Sequence, residues 1–250
     1  MPGRLSSVQR LTAALRAELV AAADPARAPG MQAYMKSAMP YHGVTSPVQQ
    51  AIYRRLIPEH PLPDGAAWRG AVLRLWKEAT HREERYAALA VLGHRLYASH
   101  RTPEALPLYE RLIVDGAWWD LVDELATRRL RELLTAHPER VAAEMRGWSH
   151  DPHLWKRRSA IICQVGLKAA TDLPLLYDCI EPNLADRDFF IRKAIGWALR
   201  DYAWTDPEEI ARYVAANTAR LSGLSRREAL KNEGRRRPGP PAPRTGPPSR

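Results

Sequence analysis

The chain has 250 residues, 45% of them hydrophobic and 26% charged, with a formal net charge of +10 and a pI near 9.9. This apolar fraction excludes a wholly disordered protein, and no stretch is long and apolar enough for a membrane span or a signal peptide. Two cysteines, Cys163 and Cys179, form neither a disulfide framework nor a metal knuckle. We therefore expect a reduced, cytoplasmic protein whose positive charge suits a polyanionic partner.

Apolar residues recur three or four positions apart along residues 1–233, which predicts helices rather than strands. The predicted helix faces are, in chain order, Val8–Leu19, Trp68–Trp76, Leu89–Leu96, Leu121–Leu134, Trp155–Leu167, Leu173–Leu184, Phe189–Tyr202 and Pro207–Ala216. Short connectors with Pro or Asp end one helix and begin the next. The pattern predicts an all-α protein with about 11–13 helices.

A weak internal repeat runs through the second half of the chain. Arg158–Ile161 matches Arg192–Ile195 at a displacement of 34 residues, and Ala126 precedes Ala160 by the same distance. The segment Asp186–Leu199 is typical of the second helix of a HEAT repeat. We predict a right-handed α-solenoid of HEAT-like repeats, with a concave face lined by one helix of each pair. A helical bundle without repeats is the alternative.

The repeats are expected to form a single domain, residues 1–233, followed by a basic tail, residues 234–250. This tail holds five arginines, six prolines and no acidic residue, and so carries half of the net charge. Its prolines oppose helix and strand alike, which predicts disorder. The tail is either a weak, non-specific anchor to nucleic acid or a solvated terminus.

Several kinds of site are not favoured by the sequence. It has no GxxxxGK[ST] or GxGxxG phosphate loop and no GxSxG nucleophile elbow. His150 and His153 form an HxxH without an acidic third ligand, which is more typical of a polar loop before a helix. Cys163 lies in the apolar run IICQV and is interpreted as a core thiol. We expect neither a metal ion nor a cofactor.

An aromatic and carboxylate pattern remains in GAWWDLVDELA. Trp119 and Asp123 are four residues apart and share a helix face. Asp120 is a predicted N-cap, so Asp123 could simply be a first-turn acid favoured by the helix dipole, and Trp119 a core residue. Trp197 is the second aromatic of interest, and the adjacent Gly196 would permit close approach of a helix or a ligand.

Basic residues cluster near both tryptophans. They are Lys156, Arg157, Arg158, Arg192, Lys193 and Arg200. A helical face that mixes arginine with tryptophan suits the phosphates and sugars of nucleic acid better than a peptide groove.

Six segments of the chain, from about residue 29 to 231, resemble the AlkD-type alkylpurine DNA glycosylases. They are AYMKSAMPYHGVTSP, WKEATHREER, GAWWDLVDELA, LWKRRSAIICQ, DFFIRKAIGWALRDYA and LSRREALK. The third and fifth together are highly specific. These bacterial enzymes are built of HEAT-like repeats and remove cationic N3- and N7-alkylated purines, so the resemblance implies that the concave face binds DNA.

The resemblance also implies roles for individual residues. The catalytic positions fall on Trp119, Asp123 and Trp197, and a phosphate-contacting arginine falls on Arg158. The remaining residues expected near DNA are Arg157, Arg192, Lys193, Arg200, Tyr34 and Lys36. Thr45 is a departure, because a relative in the family carries a glutamine at this position on the DNA-facing side, and this leaves the lesion-side or opposite-strand contacts open.

The chemistry implied by the resemblance needs few catalytic groups. A purine alkylated at N3 or N7 is cationic and departs neutral, so no acid has to protonate it. One carboxylate, Asp123, can stabilise positive charge on the deoxyribose and orient water, while two tryptophan faces hold the sugar. We expect a monomeric glycosylase acting on alkylated duplex DNA without drawing the base into a pocket.

Three other functions stay open at this point. The first is a non-catalytic HEAT-like protein that binds damaged or branched DNA, against which the presence of Asp123 argues. The second is a glycosylase specialised for bulky adducts, and the third a solenoid that scaffolds proteins. The sequence does not rank N3-alkyladenine, N7-alkylguanine and bulky adducts as lesions.

Overall fold

The structure is a computed structural model that describes residues 5–232 and 234, so nearly all of the predicted basic tail lies outside the described residues. Every regular element in the described part is a helix, and none is long and apolar enough to cross a membrane. The α-helices are α1 Ser7–Ala21, α2 Ala28–Met35, α3 Ser46–Glu59, α4 Gly65–Lys77, α5 Arg82–Gly93, α6 Leu106–Gly116, α7 Trp119–Glu124, α8 Arg131–Ala136, α9 Pro138–Trp148, α10 Leu154–Ile162, α11 Leu173–Ile180, α12 Phe189–Ala203, α13 Pro207–Ala216 and α14 Gly223–Ala229.

The helices are arranged in two layers. In one layer α3, α5, α7, α10, α12 and α14 each pack on the next. The other layer covers it, with α4 on α5, α6 on α7, α9 on α10, and α13 on both α12 and α14. This arrangement is that of an α-solenoid of helical repeats, which confirms the predicted fold class.

The 34-residue repeat has a structural counterpart. Ala126, Ala160 and Ala194 are all buried, and each belongs to the layer that holds α7, α10 and α12. A small side chain at this position lets neighbouring helices approach closely. The predicted core thiol, Cys163, is also fully buried.

Helix starts follow the sequence signals closely. Asp206 accepts a hydrogen bond from the backbone N–H of Glu209, and α13 begins at the proline after it, as predicted. Ser6, Asp64, Asp172, Asp188 and Ser222 cap other helices in the same way.

Three predicted helix ends are wrong. Helix α11 ends at Ile180 rather than continuing to Leu184, because Glu181–Asn183 form a 3-10 turn. Leu96 does not continue the face of α5, because His94 is extended and Leu96 lies in the following 3-10 turn, where it is 46% exposed. Helix α10 ends at Ile162 rather than extending to Leu167. Gly166, with a φ of +91°, takes the chain into a turn there.

Candidate active site

A buried ion pair joins two helices at the centre of the predicted site. Arg158 of α10 donates from Nε to Oδ1 of Asp123 and from Nη2 to Oδ2, both at 2.8 Å. Its Nη1 donates to the carbonyl of Phe190 on α12 at 2.7 Å. The Asp123 side chain is 18% exposed and that of Arg158 is 6% exposed. A two-point pair of this kind fixes the orientation of the carboxylate.

The surroundings of Asp123 act on its charge in opposite directions. Burial raises the pKa of Asp123 above its ordinary value of 3.8, and nearby Asp120 adds to this rise. The guanidinium of Arg158 lowers the pKa of the same carboxyl. Asp123 is thus a partly desolvated carboxylate whose negative charge is held in place by one buried cation.

The helix that carries Asp123 is irregular just after it. A π-helical turn, Leu125–Leu130, joins α7 to α8 in one continuous helical run. The Thr127 hydroxyl donates to the carbonyl of Asp123 at 2.7 Å. Single π-turns inside helices are frequent at functional sites, because they redirect the side chains beside them.

Asp120 is not the N-cap that the sequence predicted. Trp118 occupies the cap position and Asp120 lies in the first turn of α7. Its carboxylate accepts from Arg82, with Nε at 3.1 Å from Oδ2, and from the Tyr86 hydroxyl at 2.5 Å. Because its side chain is only 8% exposed, Asp120 joins α7 to α5 rather than facing solvent.

An aromatic cluster packs beside the Asp123–Arg158 pair. The ring centroid of Phe190 lies 5.5 Å from that of Trp118 and 4.9 Å from that of Trp155. The guanidinium carbon of Arg158 is 5.9 Å from the centre of the Phe190 ring. The Phe190 ring thus lies beside the guanidinium and is itself packed against two tryptophans.

The two tryptophans of the predicted catalytic set lie on the helices that hold the ion pair. Trp119 begins α7, one turn before Asp123, and Trp197 lies on α12, two turns after Phe190 and on the same face. Both are partly buried and pack on the core. A partly buried ring is held in position by its contacts while part of its surface stays available to a ligand.

Gly196 provides the close helix approach that its sequence position suggested. A Cβ atom at this residue would lie 2.4 Å from Cβ of Glu228 and 2.9 Å from the carbonyl oxygen of Ser225. Helix α14 therefore packs directly against the backbone of α12. The close approach at Gly196 is thus made by helix α14.

The predicted DNA-binding residues near the trio already have partners within the protein. Arg157 pairs with Asp186 at 2.9 Å, and Arg192 donates to the carbonyl of the same aspartate. Lys193 and Arg200 both pair with Glu228. Bound DNA would have to share these cations with Asp186 and Glu228, which reduces the net positive charge of this surface.

The amino-terminal residues predicted near DNA are exposed. Tyr34 is 78% exposed, and Lys36 ends α2 in a left-handed conformation with a φ of 51°. The indole N–H of Trp118 donates to the carbonyl of Met35 at 2.8 Å, which ties this end of α2 to the aromatic cluster. Thr45 precedes α3, and its side chain makes no capping hydrogen bond.

Two further arginines were missed by sequence reasoning. Arg54 and Arg95 line a cleft of about 590 Å³ that reaches Asp120 and lies between α3, α5 and α7. Both are exposed, and neither forms an ion pair with any described residue. In the sequence they stand in ordinary helical runs 41 residues apart, and only the fold places them on one cleft. Unpaired arginines at a cleft suit phosphate groups.

Comparison with known proteins shows that the chain is similar to a described family and to a solved structure. A family model described as DNA alkylation repair enzyme matches residues 15–232. A solved structure of a predicted DNA alkylation repair enzyme from Enterococcus faecalis is 27% identical, with a TM-score of 0.74. The match covers 85% of this chain and 97% of the other. No curated protein matches the sequence.

Proposed function

Because the chain belongs to the DNA alkylation repair enzyme family, we propose that it is a glycosylase acting on cationic N3- or N7-alkylated purines in duplex DNA. It would hydrolyse the bond between the damaged base and its deoxyribose. The observation that carries this proposal is the partly buried carboxylate of Asp123, held at both oxygens by Arg158.

A single carboxylate is enough for this reaction. The alkylated purine is already cationic, so it leaves as a neutral base without being protonated. Positive charge then develops on the deoxyribose, and a desolvated carboxylate stabilises it more strongly than a solvated one. The same carboxylate can accept a hydrogen bond from the attacking water, and its fixed orientation aligns that water.

Arg158 holds Asp123 with only part of its donors, and a phosphate contact requires the strand to approach a side chain that is 6% exposed. A guanidinium has five N–H groups, of which three are used by Asp123 and Phe190. The others can donate to a phosphate oxygen of a bound strand. This arrangement supports a double role, in which Arg158 places the carboxylate relative to the DNA backbone.

Trp119 and Trp197 are proposed to contact the sugar. The face of an indole ring is negative at its centre and attracts a nearby positive charge. Both rings lie on helices that carry or contact the ion pair, at positions fixed by core packing. The cleft that holds Arg54 and Arg95 is lined by Asp120 but not by Asp123 or either tryptophan, so it is distinct from the proposed site, where contacts are proposed with sugar and backbone rather than in a base pocket.

The test is single-turnover release of 7-methylguanine from a duplex, by wild type and by Asp123→Asn. We expect the variant to be slower by one to several orders of magnitude, where about 1.4 kcal/mol corresponds to each tenfold. The matched control is Asp115→Asn on α6, an exposed aspartate whose only ionic partner among the described residues is Arg111, and it should keep the wild-type rate. Equal rates for wild type and Asp123→Asn would refute the catalytic role. Binding without release by wild type would favour a non-catalytic protein that recognises damage.

A further inference from the structure

A second cluster of polar side chains lies away from the Asp123 site. It consists of His42, in the segment between α2 and α3, His81 immediately before α5, and Glu84 in the first turn of α5. One donor atom from each lies within 4.8 Å of the others. We propose that these three residues bind one divalent transition-metal ion, with Zn²⁺ as the best fit, at a site that is independent of the proposed glycosylase function.

The first observation is a buried nitrogen without a partner. The His42 side chain is 8% exposed, and its Nε2 makes no hydrogen bond within the described structure. Leaving such an atom unsatisfied in a protein interior is unfavourable. Nε2 lies 3.7 Å from Oε1 of Glu84, too far for a hydrogen bond. A metal ion between the two atoms would satisfy both.

The second observation is that the two oxygens of Glu84 have different surroundings. Oε2 accepts from Nε of Arg16 at 2.8 Å, which leaves Oε1 directed towards the imidazoles. Nδ1 of His81 is 3.9 Å from Oε1. The Thr80 hydroxyl donates to Oε1 at 2.8 Å, and the Thr80 backbone N–H donates to the same oxygen at 3.4 Å, so a metal ion would take the place of the longer contact.

The chemistry of the donor set favours a borderline metal. Two imidazoles and one carboxylate suit Zn²⁺ and its neighbours better than Ca²⁺ or Mg²⁺, which prefer oxygen ligands. His81 is 32% exposed, and water can therefore complete a tetrahedral site from that side.

Metal binding requires His81 to turn and to release the 3.0 Å contact between its Nδ1 and the Thr80 hydroxyl. The rings of His42 and His81 are stacked, with centroids 3.7 Å apart and an interplanar angle of 13°. An imidazole donates its lone pair in the plane of the ring, so two parallel rings cannot both point at one ion. The exposed His81 must tilt away from the buried His42, which makes His81 the ligand that adjusts.

The ion would fasten the segment before α3 to the start of α5. Glu83 already accepts three backbone N–H groups from that segment, those of His42, Gly43 and Val44, at 2.9–3.1 Å. A metal held by the adjacent Glu84 would add a second attachment at the same place. The site is therefore assigned a structural role, in positioning the chain between Lys36 and Thr45.

The experiment is a titration of the full-length, tag-free, chelator-stripped protein with Zn²⁺ by calorimetry, and with Co²⁺ by visible absorption. We expect one equivalent to bind, and Co²⁺ to show the strong absorption of a four-coordinate site. His81→Gln should weaken binding by more than about 100-fold, because losing a ligand costs more than losing an outer-shell contact. His150→Gln, at an exposed histidine of the HxxH, is the control and should bind as wild type does.

Thermal unfolding gives an independent measurement. Zn²⁺ should raise the Tm of wild type and of His150→Gln, but not that of His81→Gln. His81 is chosen over Glu84 because Glu84 also pairs with Arg16, whose loss would disturb the fold by itself. Wild type that binds no stoichiometric ion, or His81→Gln that binds with unchanged affinity, would overturn the proposal. Neither measurement depends on base release, so a failure of the glycosylase proposal leaves this test intact.

Discussion

The guanidinium of Arg158 holds both carboxylate oxygens of Asp123, and its third nitrogen binds the carbonyl of Phe190. Three successive helices of one layer, α7, α10 and α12, therefore meet at one side chain. The orientation of the carboxylate depends on Arg158 as much as on the backbone of α7. Arg158 therefore has two distinct effects on Asp123. It places a positive charge beside the carboxylate, and it fixes the orientation of that carboxylate.

Arg158→Lys tests these two effects separately. Lysine keeps the charge but cannot bond both oxygens of Asp123 and the Phe190 carbonyl in a fixed plane. We expect the single-turnover rate to fall by about tenfold or more, with nearly unchanged affinity for undamaged duplex. Arg158→Ala should in addition weaken DNA binding for all sequences and make its salt dependence shallower, if a phosphate is contacted. An unchanged salt slope in Arg158→Ala would confine Arg158 to positioning Asp123.

The pH dependence of base release should follow the carboxyl of Asp123. The ionised form is the proposed active form, and burial raises its pKa above 3.8, so activity is lost as pH falls through this raised pKa. Removing Arg158 removes the influence that lowers the pKa of Asp123. The acidic limb of Arg158→Ala should then lie at higher pH than that of wild type. The measurement is the single-turnover rate at each pH, corrected for spontaneous release. A limb that moves to lower pH would contradict the assignment.

The sequence predicted short-range features well and long-range ones unevenly. Helix α13 was predicted to the residue because Asp206 and Pro207 are adjacent signals. Asp123 and Arg158 are 35 residues apart, close to the 34-residue repeat, and residues one period apart lie on neighbouring helices of the same layer. The repeat could therefore have indicated this contact, although not its two-point geometry.

Other features depend on neighbours that no local pattern specifies. Asp120 was expected to cap its helix, but Arg82 and Tyr86, more than 30 residues earlier, bind its carboxylate instead. Whether Arg54 and Arg95 form ion pairs depends on which acidic side chains the other helices bring near them. A pattern of residue types along the chain does not contain that information.

Arg54→Ala and Arg95→Ala test whether the cleft contacts DNA. Each arginine lacks an ionic partner among the described residues, so its charge is available to neutralise a phosphate. Each substitution should weaken binding to undamaged duplex regardless of sequence and reduce the salt slope by about 0.9. Arg55→Ala is the matched control, because Arg55 already pairs with Glu18 and Glu59 and should give the smaller change. Equal slopes for all three variants would place the DNA elsewhere.

Gly196→Ala tests the packing that holds the helix of Trp197. Alanine favours a helix by about 0.8–1.0 kcal/mol over glycine, but its Cβ would meet the Ser225 carbonyl and the Cβ of Glu228 at distances that no relaxed contact allows. Overpacking of this kind costs about 1–3 kcal/mol, so the variant should be less stable by about 1–2 kcal/mol. The free energy of unfolding is measured by equilibrium urea unfolding. As α14 shifts away from α12, the ion pair between Lys193 and Glu228 should also weaken.

Gly147→Ala is the control for that experiment. Gly147 lies within α9 and a Cβ there would meet nothing within 4 Å, so the substitution should gain the helix preference and stabilise the protein by up to about 1 kcal/mol. The two glycine variants are thus expected to change the free energy of unfolding in opposite directions. If Gly196→Ala were as stabilising as Gly147→Ala, then α12 and α14 could not be as close as the structure places them. The position of Trp197 would then have to depend on other contacts.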